Sequence, residues 1–418
     1  MSATDRNVAP AAAAGDLAAS VREAGFVRLV AAADGDALAA TGLLARALSA
    51  VGVPFQASVA RTDPELAGRL ARAEDALALA VGASIPPETG SASAHEAVPG
   101  RDAPASTTAY AVARELGADP DPVLALAGAF AAGVPPGGGE TAAILETARE
   151  TGAVERRPGV SIPVADPVDG LAHTTLAHAT FSADEEATAE LVAGAGIDPD
   201  AGQGADLDEE IHRTLASLVA LEAVGDEDAS PRSADAVERA LRPYATPGSP
   251  FATVGGYADV LEAAAREQPG SGVALALASE PGHESATVEA TIDAWRAHSR
   301  AAHEAVREAT TGRYDGLFAA RVDDAPVETV ARLLLGSRSP ELAVLVVGDD
   351  EAAAIADLDA VGSTPDGGGK KSSGPVDDAM GAAVEAVGGE AGGRPHRAYA
   401  RHDGEPRDFI SAFREARR

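Results

Sequence analysis

A short run of β-forming apolar residues, Phe26 to Ala33, stops at Asp34-Gly35-Asp36. Ala37 to Leu48 then continues with Leu43, Leu44 and Leu48 at helical spacing. This is a strand, an acidic turn and an amphipathic helix in immediate succession. The alternation goes on: Val53 to Ala60 reads as a second strand, Pro64 to Ala73 as a polar helix and Ala76 to Val81 as a third strand. Strands that alternate with helices in this way predict an α/β fold with a parallel sheet.

Further along, Gly82 to Ser106 is rich in Pro, Gly and Ser and is expected to be loop. Thr107–Leu116, Val123–Ala132 and Glu140–Thr151 carry helical patterns, the last closed by Gly152. Arg157 to Ser299 mixes helices with Gly/Asp/Pro loops, and Asp226-Glu227-Asp228 reads as a solvated loop. Leu342 to Val347 is the clearest buried strand of the C-terminal part. Ser363 to Pro375 is expected as a flexible hairpin or loop, Val376 to Val387 as a helix and Gly388 to His396 as a glycine-rich turn. The resulting division is a flexible N-terminus (1–20), an N-terminal α/β domain (21–160), a helical and mixed connecting region (161–305) and a smaller C-terminal α/β domain (306–418), with a cleft between the lobes.

Composition narrows the chemistry. Asp and Glu number 65 against 33 Lys and Arg, a formal net charge of -32, and the only lysines are Lys370 and Lys371. A carboxylate-rich, lysine-poor surface suits molar salt, where self-repulsion is screened over about 3 Å, so the charge points to a halophilic archaeal cytoplasm rather than to a partner. The absence of cysteine removes disulfides, zinc-thiolate sites and thiol nucleophiles. No run of 18 apolar residues spans a membrane, and the stretch from Met1 to Asp16 lacks the basic and apolar regions of a signal peptide. The expectation is a soluble cytoplasmic protein.

Two features carry candidate chemistry. Asp34 and Asp36 stand at the carboxyl end of the first strand, where open parallel sheets place their ligands. Two carboxylates there suit a hard divalent cation, and they equally suit capping of the helix that follows. Gly388, Gly389, Gly392 and Gly393, beside Arg394 and His396, can bring backbone N–H groups and charged donors to a phosphate, while Gly388 and Gly389 can equally end the preceding helix. His173, His178, His212, His283, His298 and His303 show no metal-ligand spacing and read as surface or helix-packing residues, and Trp295 reads as a core anchor. Gly137–Gly139 lacks the Lys and Ser/Thr of a P-loop, and no Gly-x-Ser-x-Gly elbow is present.

In this order and at these distances the segments resemble the DHH phosphoesterase superfamily, most closely the archaeal RecJ-like exonucleases that include the GINS-associated nuclease. Ala32-Ala33-Asp34-Gly35-Asp36-Ala37 is similar to the first motif, His-x-Asp-x-Asp-Gly. Thr107–Leu116 resembles the helix after the Asp-His-His triplet, and Leu126–Gly133 the segment that ends in the fourth metal-binding Asp. Phe251 to Arg266 resembles the Leu-Asn-Ala-x-Gly-Arg stretch, and Gly388 to Tyr399 the glycine-rich signature of the DHH-associated substrate-binding domain. The resemblance runs through nearly the whole chain.

The departures fall on the ligands. The first-motif His is Ala32, the second-motif Asp falls near Val81-Gly82-Ala83 with no acid present, the triplet is missing, and the fourth Asp is Ala132. In the glycine-rich signature the His is Arg394 and the final Gly is Tyr399, while in the other stretch Asn is Glu262 and Gly is Ala265, with Arg266 retained. Family nucleases hold two manganese ions that activate one water, a task beyond two carboxylates. The resemblance therefore implies a catalytically degenerate member that binds single-stranded nucleic acid through Arg266, the four glycines, Arg394 and His396, or works beside GINS and the replicative helicase. An inactivated eukaryotic helicase component of this family is the precedent. Asp34 and Asp36 would retain at most one Mn2+ or Mg2+. The alternative is a Mn2+-dependent single-strand exonuclease or small phosphoesterase with rearranged ligands, for which Asp75, His95 or Asp102 would have to fold toward Asp34.

Overall fold

In a computed structural model of the chain, which describes residues 10–72, 76–89, 94–100, 103–199, 209–225, 229–278, 286–357 and 375–417, helix α1 (Pro10–Glu23) leads into β1 (Val27–Ala32). The turn at Asp34 opens α2 (Gly35–Val51), followed by β2 (Phe55–Ala60), α3 (Asp63–Leu70) and β3 (Leu77–Val81). These are the elements expected of residues 26–81, while α1 overlaps the end of the stretch expected to be flexible, 1–20, and runs past it. The chain divides into two units. The first comprises Met1–Ala60, Leu66–Val154 and Ala264–Thr291, and the second comprises Arg61–Glu65, Glu155–Ala263 and Ile292–Arg418.

The first unit is built on a four-stranded parallel sheet in the order β2-β1-β3-β4, where β4 is Ala94–Val98. β4 falls in the stretch expected to be loop. Its sequence, Ala-His-Glu-Ala-Val, sits at the sheet edge with only Val98 fully buried, so it lacks the apolar run of an interior strand. Helices α4 (Ala105–Glu115), α5 (Pro122–Ala131) and α6 (Thr141–Glu150) complete the N-terminal run. β3 is buried along its whole length, as a central parallel strand must be.

The second unit begins with β5 (Glu155–Arg156) and the helices α7 (Pro167–His173), α8 (Glu185–Gly194), α9 (Glu209–Gly225) and α10 (Ser233–Ala240), which share one apolar core with Leu171, Val192, Leu215 and Val237 at its centre. After β6 (Tyr244–Ala245) come α11 (Val254–Glu267), α12 (Pro269–Leu277), which returns to the first unit, and the long α13 (Ala286–Glu308). A six-stranded sheet follows: β7 (Thr310–Tyr314), β8 (Leu317–Arg321), β9 (Ala343–Val347), β10 (Glu351–Ala356), β11 (Gly389–Arg394) and β12 (Arg397–His402). They lie in the order β11-β12-β10-β9-β8-β7, and only β8 and β9 run parallel.

Strand periodicity decides the layers of this sheet. Ala343, Leu345 and Val347 of β9 face one side, where α15 (Val376–Val387) and α16 (Pro406–Ala416) contribute Met380, Phe409 and Phe413. Val344 and Val346 face the other, against Val306 of α13 and Val330 and Leu334 of α14 (Val327–Ser337). Asp226–Asp228 lies outside the described residues, as does all but the end of the Ser363–Pro375 stretch. Several arginines of this unit end on main-chain oxygens: Arg232 on Ser339 and Glu341, Arg307 on Ser182, Arg332 on Thr175 and Arg338 on Val306.

Candidate functional site

Asp34 has extended backbone angles and is the N-cap of α2, its Oδ1 accepting the Ala37 N–H at 2.8 Å. Asp36, in the first turn of the helix, is 1% exposed. Its Oδ2 accepts the Ala105 N–H at 2.7 Å and its Oδ1 the Ser106 N–H at 2.9 Å. The N-cap position of α4 is Pro104, which offers no side-chain acceptor, so Asp36 supplies that acceptor from α2. Carboxylates in such positions also meet the positive end of the helix dipole. Of the two roles open to this pair in the sequence, helix capping is the one the geometry contains.

The surroundings are buried and closely packed. Gly128 of α5 faces α2 and α4 so closely that a Cβ there would stand 2.6 Å from the Cβ atoms of both Ala39 and Ser106. Ala32 ends β1, Val81 ends β3, and Ala132 is the C-cap of α5, none of them with a side chain able to offer a ligand. Among the described residues no group of three or more His, Asp or Glu is placed to hold a metal ion. His95 lies on the edge strand β4, while Asp75 and Asp102 lie outside the described residues. The donor set at Asp34 and Asp36 does not fit a two-metal centre, which needs several protein oxygens or nitrogens on each ion.

Arg266 is in the last turn of α11, 9% exposed, and belongs to the first unit. The glycine-rich segment belongs to the second unit and is largely strand rather than turn. Gly388 is the C-cap of α15 at φ 89°, as the capping reading of that glycine anticipates, and Gly389, Gly392, Gly393 and Arg394 all lie in β11, paired with β12. The chain reverses between Arg394 and Arg397, where the His396 carbonyl accepts the Ala356 N–H at 2.9 Å. Gly392 packs against the backbone of residues 62–63: a Cβ there would lie 2.8 Å from the Asp63 nitrogen.

Tyr399, at the position of the family's final glycine, is 4% exposed. The Arg61 guanidinium lies 3.9 Å from its ring centroid, and its hydroxyl donates to Glu351 at 2.5 Å. Burial, opposed by Arg61 and reinforced by Glu351, pushes the phenol well above its ordinary value. Arg61 in turn pairs with Glu328 at 3.1 Å and Glu351 at 3.0 Å. A ring covered in this way is closed to stacking on a base.

Of the two readings open to the histidines, surface or helix packing, His173, His178, His298 and His303 follow the second, all being buried in the second unit. His178 and His303 join Nδ1 to Nδ1 at 2.9 Å, His298 meets the Thr329 hydroxyl at 2.8 Å, and His173 lies edge-on to Trp295. Trp295 is a core anchor, as expected, and it donates Nε1–H to Asp259 at 2.9 Å. Asp259 also accepts from the Thr175 N–H at 2.8 Å and from both Thr174 and Thr175 hydroxyls. No sequence spacing signals these pairings, because α7 and the segment after it, α11, α13 and α14 each contribute a part.

A parallel-sheet unit with an Asp-Gly-Asp turn after β1, together with a largely antiparallel C-terminal sheet bearing a glycine-rich strand, defines a RecJ-like fold. Two solved structures agree. CDC45 from Entamoeba histolytica superposes with a TM-score of 0.59 at 8% identity, covering 97% of this chain and 99% of that one. The Mn2+ complex of RecJ from Thermus thermophilus gives 0.51 at 16% identity, covering 98% of this chain and 55% of the other, so the chain spans about half the length of that RecJ. At these identities the likeness is one of fold. A family profile described as the C-terminal domain of uncharacterized protein rrnAC1427 matches residues 309–415. The uncharacterized protein rrnAC1427 of Haloarcula marismortui is 50% identical over 418 residues, all of both chains, and the present chain belongs to its family.

Proposed function

We propose that the chain is a RecJ-like protein without a hydrolytic metal centre that acts by binding, in contact with single-stranded nucleic acid or as an accessory subunit of replication or repair. The observation that carries this reading is the use of Asp36: both of its oxygens hold the first turn of α4. A carboxylate committed to two backbone donors in a packed, apolar setting is a poor ligand for a hydrated divalent ion. The retained fold and the acid-free ligand positions at Ala32 and Ala132 support the same reading. Partners of the kind implied by the family, GINS or components of the replicative helicase, fit a binding role in a high-salt cytoplasm.

Contacts to a phosphate backbone would come from Arg266, or from Arg394, His396 and the amides of Gly389, Gly392 and Gly393, the Gly388 N–H being engaged on the Val384 carbonyl. With a net charge of -32 the counter-ion term is small, so the dependence of any affinity on salt is shallow. The test is incubation of the purified protein with 5′-labelled single-stranded DNA and Mn2+ in molar salt. Intact DNA that is retained by the wild type, and released several-fold more readily by Arg394→Ala, is the expected result. Degradation abolished by Asp34→Ala would establish instead a Mn2+-dependent exonuclease with ligands outside the described residues. Absence of both degradation and retention would leave a protein-binding subunit.

A further inference from the structure

Residues Arg61–Glu65, the link from β2 into the first turn of α3, belong to the second unit and lie on one face of its six-stranded sheet. Alternation along β12 puts Arg397, Tyr399 and Arg401 on that face, and the register of β11 sets Arg394, Gly392 and Glu390 beside them. Arg61 lies over the Tyr399 ring at 3.9 Å and is held there by Glu328 and Glu351. The Thr62 hydroxyl donates to Glu390 at 3.0 Å. The start of α3 passes Gly392 so closely that a Cβ there would lie 2.8 Å from the Asp63 nitrogen and 3.0 Å from both the Thr62 Cα and an Asp63 carboxylate oxygen. Glu65 accepts from Arg401 at 2.6 Å.

Backbone this near leaves no room for a phosphate over Gly392. Unlike Gly389 and Gly393, Gly392 is not at a positive φ, so the space it leaves, and not its backbone angle, is what the segment uses. Under the segment lie an aromatic ring, a guanidinium and a stretch of strand without a side chain. Those are the means by which a protein stacks a base, pairs a phosphate charge and lets a backbone come close. The segment takes each of them: Arg61 covers the ring, Glu65 occupies Arg401, and Asp63 brings a carboxylate oxygen to Gly392. Arg397, the neighbouring cation on this face, is engaged by Glu262 and not by the segment.

We infer that residues 61–65 are a built-in competitor of single-stranded nucleic acid: docked, they close the face formed by Gly392, Tyr399 and Arg401, and a bound strand displaces them. That role rests on the nucleic-acid contact proposed above. A ligand that binds only the open form has its affinity reduced by the open fraction, so a change that disfavours docking tightens binding by the same factor. Gly392→Ala is such a change, because its backbone angle suits alanine while the added methyl collides with the Asp63 nitrogen. Overpacking of this kind shifts the equilibrium about tenfold or more, and it leaves the net charge as it was.

The experiment compares Gly392→Ala and Thr62→Val, which removes the hydroxyl held by Glu390, with Gly381→Ala of α15 as control, a site with nothing within 4 Å. Amide hydrogen exchange of 61–65 and the anisotropy of a 5′-labelled oligothymidylate are read on the full chain in molar salt without divalent metal. Both test variants should exchange faster at 61–65 and bind the oligonucleotide about tenfold more tightly, with the control like the wild type. Saturating oligonucleotide should also speed exchange at 61–65 in the wild type. Faster exchange with unchanged affinity, or slower wild-type exchange on binding, overturns the competitor and leaves the nucleic-acid reading standing. Unchanged exchange in both variants overturns the docking itself. Failure of the wild type and of the opened variants alike to bind overturns the nucleic-acid reading and the competitor with it. Should Gly392→Ala fail to fold, Thr62→Val and the wild-type exchange with and without oligonucleotide decide.

Discussion

Asp36 and Ala105 are 69 residues apart in sequence and 2.7 Å apart through a carboxylate oxygen and a backbone N–H. That contact, with its companion to Ser106, makes α2 the cap of α4. Asp36→Ala leaves two buried donors of α4 without this acceptor and should cost about 2 kcal/mol or more, read from urea unfolding at fixed salt. Asp36→Asn keeps one acceptor oxygen and should fall between. Loss of bound metal without loss of stability in Asp36→Ala would contradict the capping role.

Gly128 marks the closest approach of α5 to α2 and α4. Because its neighbours there are a small side chain on each helix, little can yield to a methyl group. Gly128→Ala should lower stability by about 1–3 kcal/mol through overpacking, whereas Gly68→Ala, at a site with nothing within 4 Å, should be neutral or stabilising. Thermal melting of the two variants under one buffer compares them directly.

Asp169 of α7 accepts from Arg296 at 2.7 Å and lies 3.1 Å from His173. Burial alone would raise its proton affinity, but hydrogen bonds from His173 and Arg296, aided by their charges, outweigh it and bring the carboxyl from 3.8 down to about 2. The folded value is thus below the unfolded one. Its contribution, about 2 kcal/mol, is fully present above pH 4 and is lost as the pH falls through about 2. An acid titration of unfolding free energy should show this slope in the wild type and a shallower one in Asp169→Asn.

Glu262 and Arg397 form a two-point ion pair, at 3.1 and 3.3 Å, between α11 and β12. Removing either partner strands a charge in a mostly buried position, so Glu262→Leu alone should cost about 3 kcal/mol. Adding Arg397→Met should recover most of that loss. A double-mutant cycle in urea measures the coupling, and simple additivity of the two losses would show that the pair does not act as a unit.

Much of this architecture can be read from residue order. β1, α2 and β3 follow from apolar runs bounded by turn residues, and α15 begins and ends at the residues its pattern predicts because Pro375 and Gly388 punctuate it. β4 and β11 escape such reading for opposite reasons: one is a polar edge strand, and the other is half glycine, which sequence rules assign to turns. At the candidate site, Asp34 as an N-cap is legible from the three residues around it. The partner of Asp36 is not, since nothing local tells a carboxylate which distant helix lacks an acceptor. The pairing of His178 with His303 spans 125 positions, so no local spacing displays it.

The arginines that end on main-chain oxygens in the second unit bear on how the chain responds to added salt. An ion pair joins two mobile charges, and dissolved salt offers each of them other partners. A guanidinium at 2.6 Å from the Val306 or Ser182 carbonyl, or at 2.9 Å from that of Glu341, is held by a dipole fixed in the backbone, for which a passing chloride or potassium ion is no substitute. With so few cations in the chain, the ones placed this way act as mooring points whose grip is indifferent to ionic strength, leaving the carboxylate coat free to manage the solvent.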